Sequence, residues 1–159
     1  MNKIPWAIVP AVVALAVGCG KSDTYESSDG TVKIKQEGDT AKYEVVTKEG
    51  KVTMSASDTE VAIPDTFPKD VPILKGAVAK LSMSQGKSEV LHLHVAGSMA
   101  DVAKEYQDKL KDEGWEIEST MNMGDTSMVH AKKANRQCSA VVMKDDEGGS
   151  LIQLTVTEE

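Results

Sequence analysis

The feature that most narrows the folds open to this chain is a series of short runs in which apolar and polar residues alternate, each closed by a turn signal. Successive side chains on a strand point to opposite faces, so strict alternation describes a strand with one apolar and one polar side. Val32 and Ile34 share a face before Glu37-Gly38-Asp39. Ala41, Tyr43 and Val45 follow before Lys48-Glu49-Gly50, and Val52, Met54 and Ala56 close the group. This predicts a β-meander of three short strands within residues 31–63, with a brief further strand at 60–63. Its one apolar face is thin, and a meander of this size is marginal unless it packs on something.

Three prolines in nine residues then interrupt the pattern, in Pro64-Asp65-Thr66-Phe67-Pro68-Lys69-Asp70-Val71-Pro72. Proline fixes φ and removes a donor, so residues 64–76 read as an extended connector and a candidate boundary, pinned by Phe67 and Val71. Alternation resumes at 77–159. Ala77, Ala79, Leu81 and Met83 precede the turn at Ser84-Gln85-Gly86-Lys87, and the chain returns with Leu91, Leu93 and Val95 on one face. A single stretch changes period: Met99, Val102, Ala103, Tyr106 and Leu110 form a helical stripe opposite Lys104, Glu105, Asp108 and Lys109. Ser98 and Asp101 have the capping arrangement, and Gly114 supplies the left-handed stop. Trp115, Ile117, Ser119, Met121 and Met123 then alternate as the inward side of a strand, which makes the methionines core filler. Three more strands follow at 126–133, 137–144 and 150–157. The expected class is α+β: an antiparallel sheet with one helix on a face, in the order β-β-α-β-β-β-β, preceded by the short meander.

The balance of charge excludes one class of partner. The 159 residues carry a formal net charge of −7, which repels phosphate backbones, so no nucleic acid is expected as a partner. Only 4% of the residues are aromatic, too few for base-stacking platforms.

The chain opens with Met1-Asn2-Lys3, an apolar run over 4–17, and Gly18-Cys19-Gly20. A charged start, a short apolar core and small residues at the exit are the parts of a secretory signal. The run is about 14 residues, against roughly 20 for a spanning helix, and contains Pro5 and Pro10. Leu15-Ala16-Val17-Gly18-Cys19 resembles the lipobox of bacterial lipoprotein signal peptides, with Ala16 where that family usually has Leu. The resemblance implies cleavage after Gly18, a signal peptide over 1–18, and acylation of Cys19, which anchors the chain in a membrane. Gly20 after the cysteine, rather than Asp, implies the outer membrane facing the periplasm in a cell with two membranes. Residues 19–30 are small and polar and read as a flexible tether. The order of elements over 77–159 resembles small helix-on-sheet domains of envelope lipoproteins, such as a lipoprotein component of the outer-membrane barrel-assembly machinery. The run from Phe67-Pro68-Lys69-Asp70-Val71-Pro72 to Gly76-Ala77 looks like a segment common in uncharacterised bacterial lipoproteins.

Few residues suggest chemistry. His92-x-His94 projects two imidazoles from one face of a strand, and His130 lies on another; if the strands adjoin, the three form a copper or zinc site. Read separately, they are surface histidines. Met121-x-Met123 has the form of a thioether pair but continues the core alternation. Cys138, between alternating apolar residues, reads as a buried inert thiol. Asp145-Asp146-Glu147-Gly148-Gly149 reads as a hairpin turn. With no phosphate loop, nucleophile elbow or H-E-x-x-H, no enzymatic activity and no cofactor are expected. The expectation is a non-enzymatic, lipid-anchored envelope protein that contacts another protein or envelope component; the alternative is a lipoprotein that binds a small ligand or Cu/Zn.

Overall fold

The computed structural model describes residues 22–27, 30–48 and 50–159. Ten strands and one helix follow one another as β1 (Ser22–Ser27), β2 (Gly30–Glu37), β3 (Thr40–Thr47), β4 (Gly50–Ser57), β5 (Val78–Gln85), β6 (Ser88–Val95), α1 (Met99–Asp112), β7 (Glu116–Met123), β8 (Thr126–Lys133), β9 (Arg136–Lys144) and β10 (Ser150–Glu158). All ten strands belong to one antiparallel sheet in the order β1-β2-β3-β4-β5-β6-β10-β9-β8-β7. The α+β reading therefore holds in its broad form, with far more sheet than helix.

The N-terminal part departs from expectation in three ways. Ser22–Ser27, read as tether, is the edge strand β1 and pairs with β2 from Ser22↔Lys35 to Ser27↔Gly30. The meander thus has four strands, and it is no separate unit: β4 pairs with β5 from Val52↔Gln85 to Ala56↔Leu81. Residues 60–63 form no strand. Val61 instead donates its amide to the Ala79 carbonyl at 2.8 Å, and its side chain is buried. The proline-rich connector joins two stretches of one sheet, with Phe67, Val71 and Leu74 inside the main core.

The helix forms where the stripe placed it. The Ser98 hydroxyl accepts from the Asp101 amide at 3.2 Å, satisfying one of the free N–H groups of the first turn. Val102, Ala103, Tyr106 and Leu110 are buried, and α1 lies across β7, β8 and β9. Gly114, at φ 79°, ends the helix in the left-handed region. On the helix side Leu91, Leu93, Val129, Ala140, Val142, Ile152 and Leu154 are wholly enclosed. Helix and connector together make the second layer, and it covers one face only.

The connector is held by a charged clamp. Arg136 gives two hydrogen bonds to the Asp70 carboxylate, at 2.8 and 2.6 Å, and Lys133 stands 2.7 Å from it. The Trp115 indole N–H donates to the Asp70 carbonyl at 2.7 Å, and the Arg136 guanidinium lies 5.2 Å from the indole ring centre. These contacts fasten the connector to the turn between β8 and β9.

Candidate functional site

Residues paired across neighbouring strands share a face, so the register defines what the side of the sheet away from α1 displays. One row runs Ile34, Tyr43, Met54, Met83, Val90, Thr155, Ser139, His130. The next runs Gln36, Ala41, Ala56, Leu81, His92, Gln153, Val141, Met128. From β2 to β8, setting aside the bulge residue Lys80, this face carries no Asp, Glu or Arg, and Lys132 near one end is its one lysine. Its apolar side chains are half-buried by their neighbours in the sheet, and no helix or connector lies over them. Nothing in the described residues forms a second layer there.

The opposite face differs along its length. Under α1 and the connector it is the core, but over β2–β4 it is charged. Lys42 meets Glu37 at 2.9 Å, Lys51 meets Glu44 at 2.8 Å, Lys33 meets Glu44 at 3.4 Å, and Lys35 also pairs with Glu37. Hydrogen bonds from Lys35 and Lys42 hold the Glu37 carboxyl down at about 2. The meander therefore turns its ionic side toward the helix side of the sheet. Its apolar side is continuous with the helix-free face of the rest.

Met121 and Met123 belong to that uncovered face, against the expectation that they fill the core. The register shifts between Ile117 and Ser119. One extra residue in a strand reverses the facing of everything after it, because alternation has period two. Ile117 still pairs with inward Ala131, but Met121 pairs with Met128 and Met123 with Thr126, leaving them 53% and 55% exposed. The space between helix and sheet is filled chiefly by Tyr106, Leu110 and Trp115, not by these methionines.

The three histidines share the helix-free face but do not meet. Strands β10 and β9 stand between β6, with His92 and His94, and β8, with His130. Three strand spacings of about 4.8 Å put His130 roughly 14 Å or more from the pair, too far for one ion. Among the described residues, no group of three or more His, Cys, Asp or Glu has metal-holding geometry. His94 has a local role: its Nε2 donates to the Gly148 carbonyl at 2.9 Å and lies 3.2 Å from Asp145 Oδ2, fastening the β9–β10 turn to the end of β6. Partial burial lowers the pKa of His92 and favours its neutral form.

Cys138 is buried, and the loss of water pushes its thiol up to about 12, with Asp70 adding to the rise and Arg136 opposing it. A thiol held protonated is a poor nucleophile. Asp70 is held well below the usual carboxylate range, first by the Arg136 hydrogen bonds, partly opposed by burial, and further by Lys133. That is the signature of a structural ion pair, not of a proton carrier. Gly18 and Cys19, the cleavage and acylation positions, lie outside the described residues.

No single motif marks the uncovered face in the sequence. The signal lay in the polar partners of the alternation, which in β2–β4 are charged while those in β6, β8, β9 and β10 are mostly Thr, Ser, Gln, Met and His. Because the strand register was needed to join these positions, the face became visible only with the topology.

In comparisons with known proteins, a family described as START domain-like matches residues 78–149. The match runs from β5 to the turn before β10, somewhat under half of the chain, and leaves out β1–β4. No curated protein and no solved structure matches. The similarity to that family is thus confined to the part of the molecule that carries the helix.

Proposed function

We propose that this chain is a lipid-anchored protein of the cell envelope, without enzymatic activity, that works by presenting its helix-free sheet face to another macromolecule. The observation that carries the reading is that face: largely apolar over β2–β5, mixed apolar and uncharged polar from β6 to β8, nearly free of charge throughout, and uncovered. A solitary soluble protein rarely leaves so large an apolar surface to water. The high pKa of Cys138, the fully paired Asp70 and the separation of the histidines support a binding role over catalysis or metal capture.

The lipobox-like run ending at Cys19 supports the anchor, with the outer membrane facing the periplasm as the favoured location. The strand at Ser22 changes what such an anchor does. Three residues span no more than about 11 Å, so the sheet edge is held close to the head groups rather than at the end of a long tether. Two or three acyl chains at about 0.8 kcal/mol per buried methylene would make that attachment lasting.

Mass spectrometry of protein extracted from membranes tests the anchor. The expected product begins at Cys19 and carries acyl chains, and Cys19→Ala loses both features. An intact, unmodified N-terminus recovered from the soluble fraction would overturn the location.

A further inference from the structure

We infer that the occupant of the helix-free face is a second copy of this chain, the two sheets packing face to face as a sandwich. The inference rests on reading that face as a contact surface, and it adds the partner's identity from area, charge and shape.

The eight strands from β2 to β8, at about 4.8 Å spacing and each roughly 25 Å long, offer a face on the order of 950 Å² without the carboxylates Asp23 and Glu116 of the edge strands. A stable protein interface needs about 800 Å² from each partner, so nearly all of that face must be engaged. The net charge of −7 would oppose self-association if it lay on this surface. It lies elsewhere: from β2 to β8 the face holds no carboxylate, so two copies approach there without like-charge repulsion.

Shape separates a second copy from a membrane. Adjacent strands rotate by about 20–25°, and over ten strands the face winds through a large angle. A flat bilayer can touch only a few strands of such a surface. A second sheet has the same twist, and twisted sheets stack with their strands within about 30° over their whole width. Small residues also stand beside large ones, Ala41 and Ala56 next to Tyr43 and Met54, as interdigitation of a surface with itself requires. A two-fold axis brings each such position against its counterpart.

Photo-crosslinking of the full chain in cells tests the assignment, with p-benzoylphenylalanine in place of Tyr43 or Val90 on the helix-free face, or of Lys42 on the charged one. The expected result is an adduct of twice the chain mass from Tyr43 and Val90 and none from Lys42. Adducts only with lipid, with another protein or within one chain would overturn the second copy while leaving the face as a contact surface. No adduct from either position would overturn both readings. Val45→Glu adds a check that does not threaten the core, because no side chain of β3 is buried. It should cut the Val90 adduct by at least about tenfold, since a carboxylate buried without a partner is costly. An unchanged adduct would overturn the assignment.

Discussion

The two ends of the sheet use the same strands and the same alternation, yet only one has a second layer. In β5–β10 the inward side chains lie under α1 and the connector, and Leu91, Leu93, Ile152 and Leu154 are fully enclosed. In β1–β3 no side chain is buried, and in β4 only Ser57 is. Burying a whole aliphatic side chain contributes about 1.5–3 kcal/mol. A half-exposed one gains a fraction of that, and cross-strand pairs add roughly 0.2–1 kcal/mol each. The meander is therefore held chiefly by its ladder to β5, and strand propensity is not what separates the halves.

The largest expected effect tests that difference directly. Leu93→Ala should lower stability by about 2–5 kcal/mol in urea unfolding, whereas Val45→Ala should cost the isolated chain less than about 1 kcal/mol. Amide exchange should show the same order, with β1 and β2 opening well before β6 and β10. At concentrations where two copies pair, the cost of Val45→Ala should rise above its value in the isolated chain, because a face-to-face pair covers the meander, while that of Leu93→Ala should not change.

How far the sequence disclosed this arrangement follows from the range of each signal. Helix α1 was legible because its stripe, its Ser98 cap and its Gly114 stop are all local. The hairpins β5–β6, β7–β8 and β8–β9 were legible for the same reason. Strand β1 was not, because Ser-Asp-Thr-Tyr-Glu-Ser has one apolar residue and gains its structure by pairing with β2. Met121 and Met123 were misplaced because a bulge, which no residue type announces, reversed their side. The histidine site failed on strand order: β10 entered between β6 and β9, a long-range pairing that the alternation within each strand does not encode.

The clamp at the connector gives the next effect, and it should be confined to the covered half. Arg136→Ala leaves the Asp70 carboxylate with Lys133 alone and should cost about 1–3 kcal/mol. Because the folded state lowers the pKa of Asp70, its contribution is complete above the unfolded value, near 3.8, and is lost as pH falls through the still lower folded value. Unfolding midpoints taken from pH 6 to pH 2 should fall in the wild type and fall less in Asp70→Asn. Glu37 in the meander has the same sign, lowered from 4.5 to about 2, but it is fully exposed. Its effect should disappear in high salt while that of Asp70 persists.

The covered half also tolerates a cost that the meander has no means to absorb. The Tyr106 hydroxyl is buried with no hydrogen-bond partner, and burial raises its pKa well above the usual tyrosine value. Tyr106→Phe removes the unpaired group while keeping the ring, so unfolding should show no loss, or a gain of up to roughly 1 kcal/mol. A clear loss would mean that the hydroxyl meets a partner in solution, such as an ordered water.

The smallest effect compares two turns. Ala134 stands at φ 55° between β8 and β9, a region that costs a residue with a Cβ about 1–2 kcal/mol, while the matching position between β2 and β3 is Gly38 at φ 59°. Ala134→Gly should therefore stabilise the fold by about 0.5–1 kcal/mol, the relief of strain less the added freedom of the unfolded chain. Gly38→Ala reverses the exchange, and with no atom within 4 Å of the new Cβ its penalty is one of backbone conformation alone. If the second layer is what lets β8–β9 hold a strained turn, the two substitutions should differ in reach as well as sign. Ala134→Gly should shift the global midpoint in urea, whereas Gly38→Ala should speed amide exchange in β2 and β3 and leave β6 and β10 unchanged. Equal movement of both strand sets by Gly38→Ala would show that the meander and the covered half unfold as one unit.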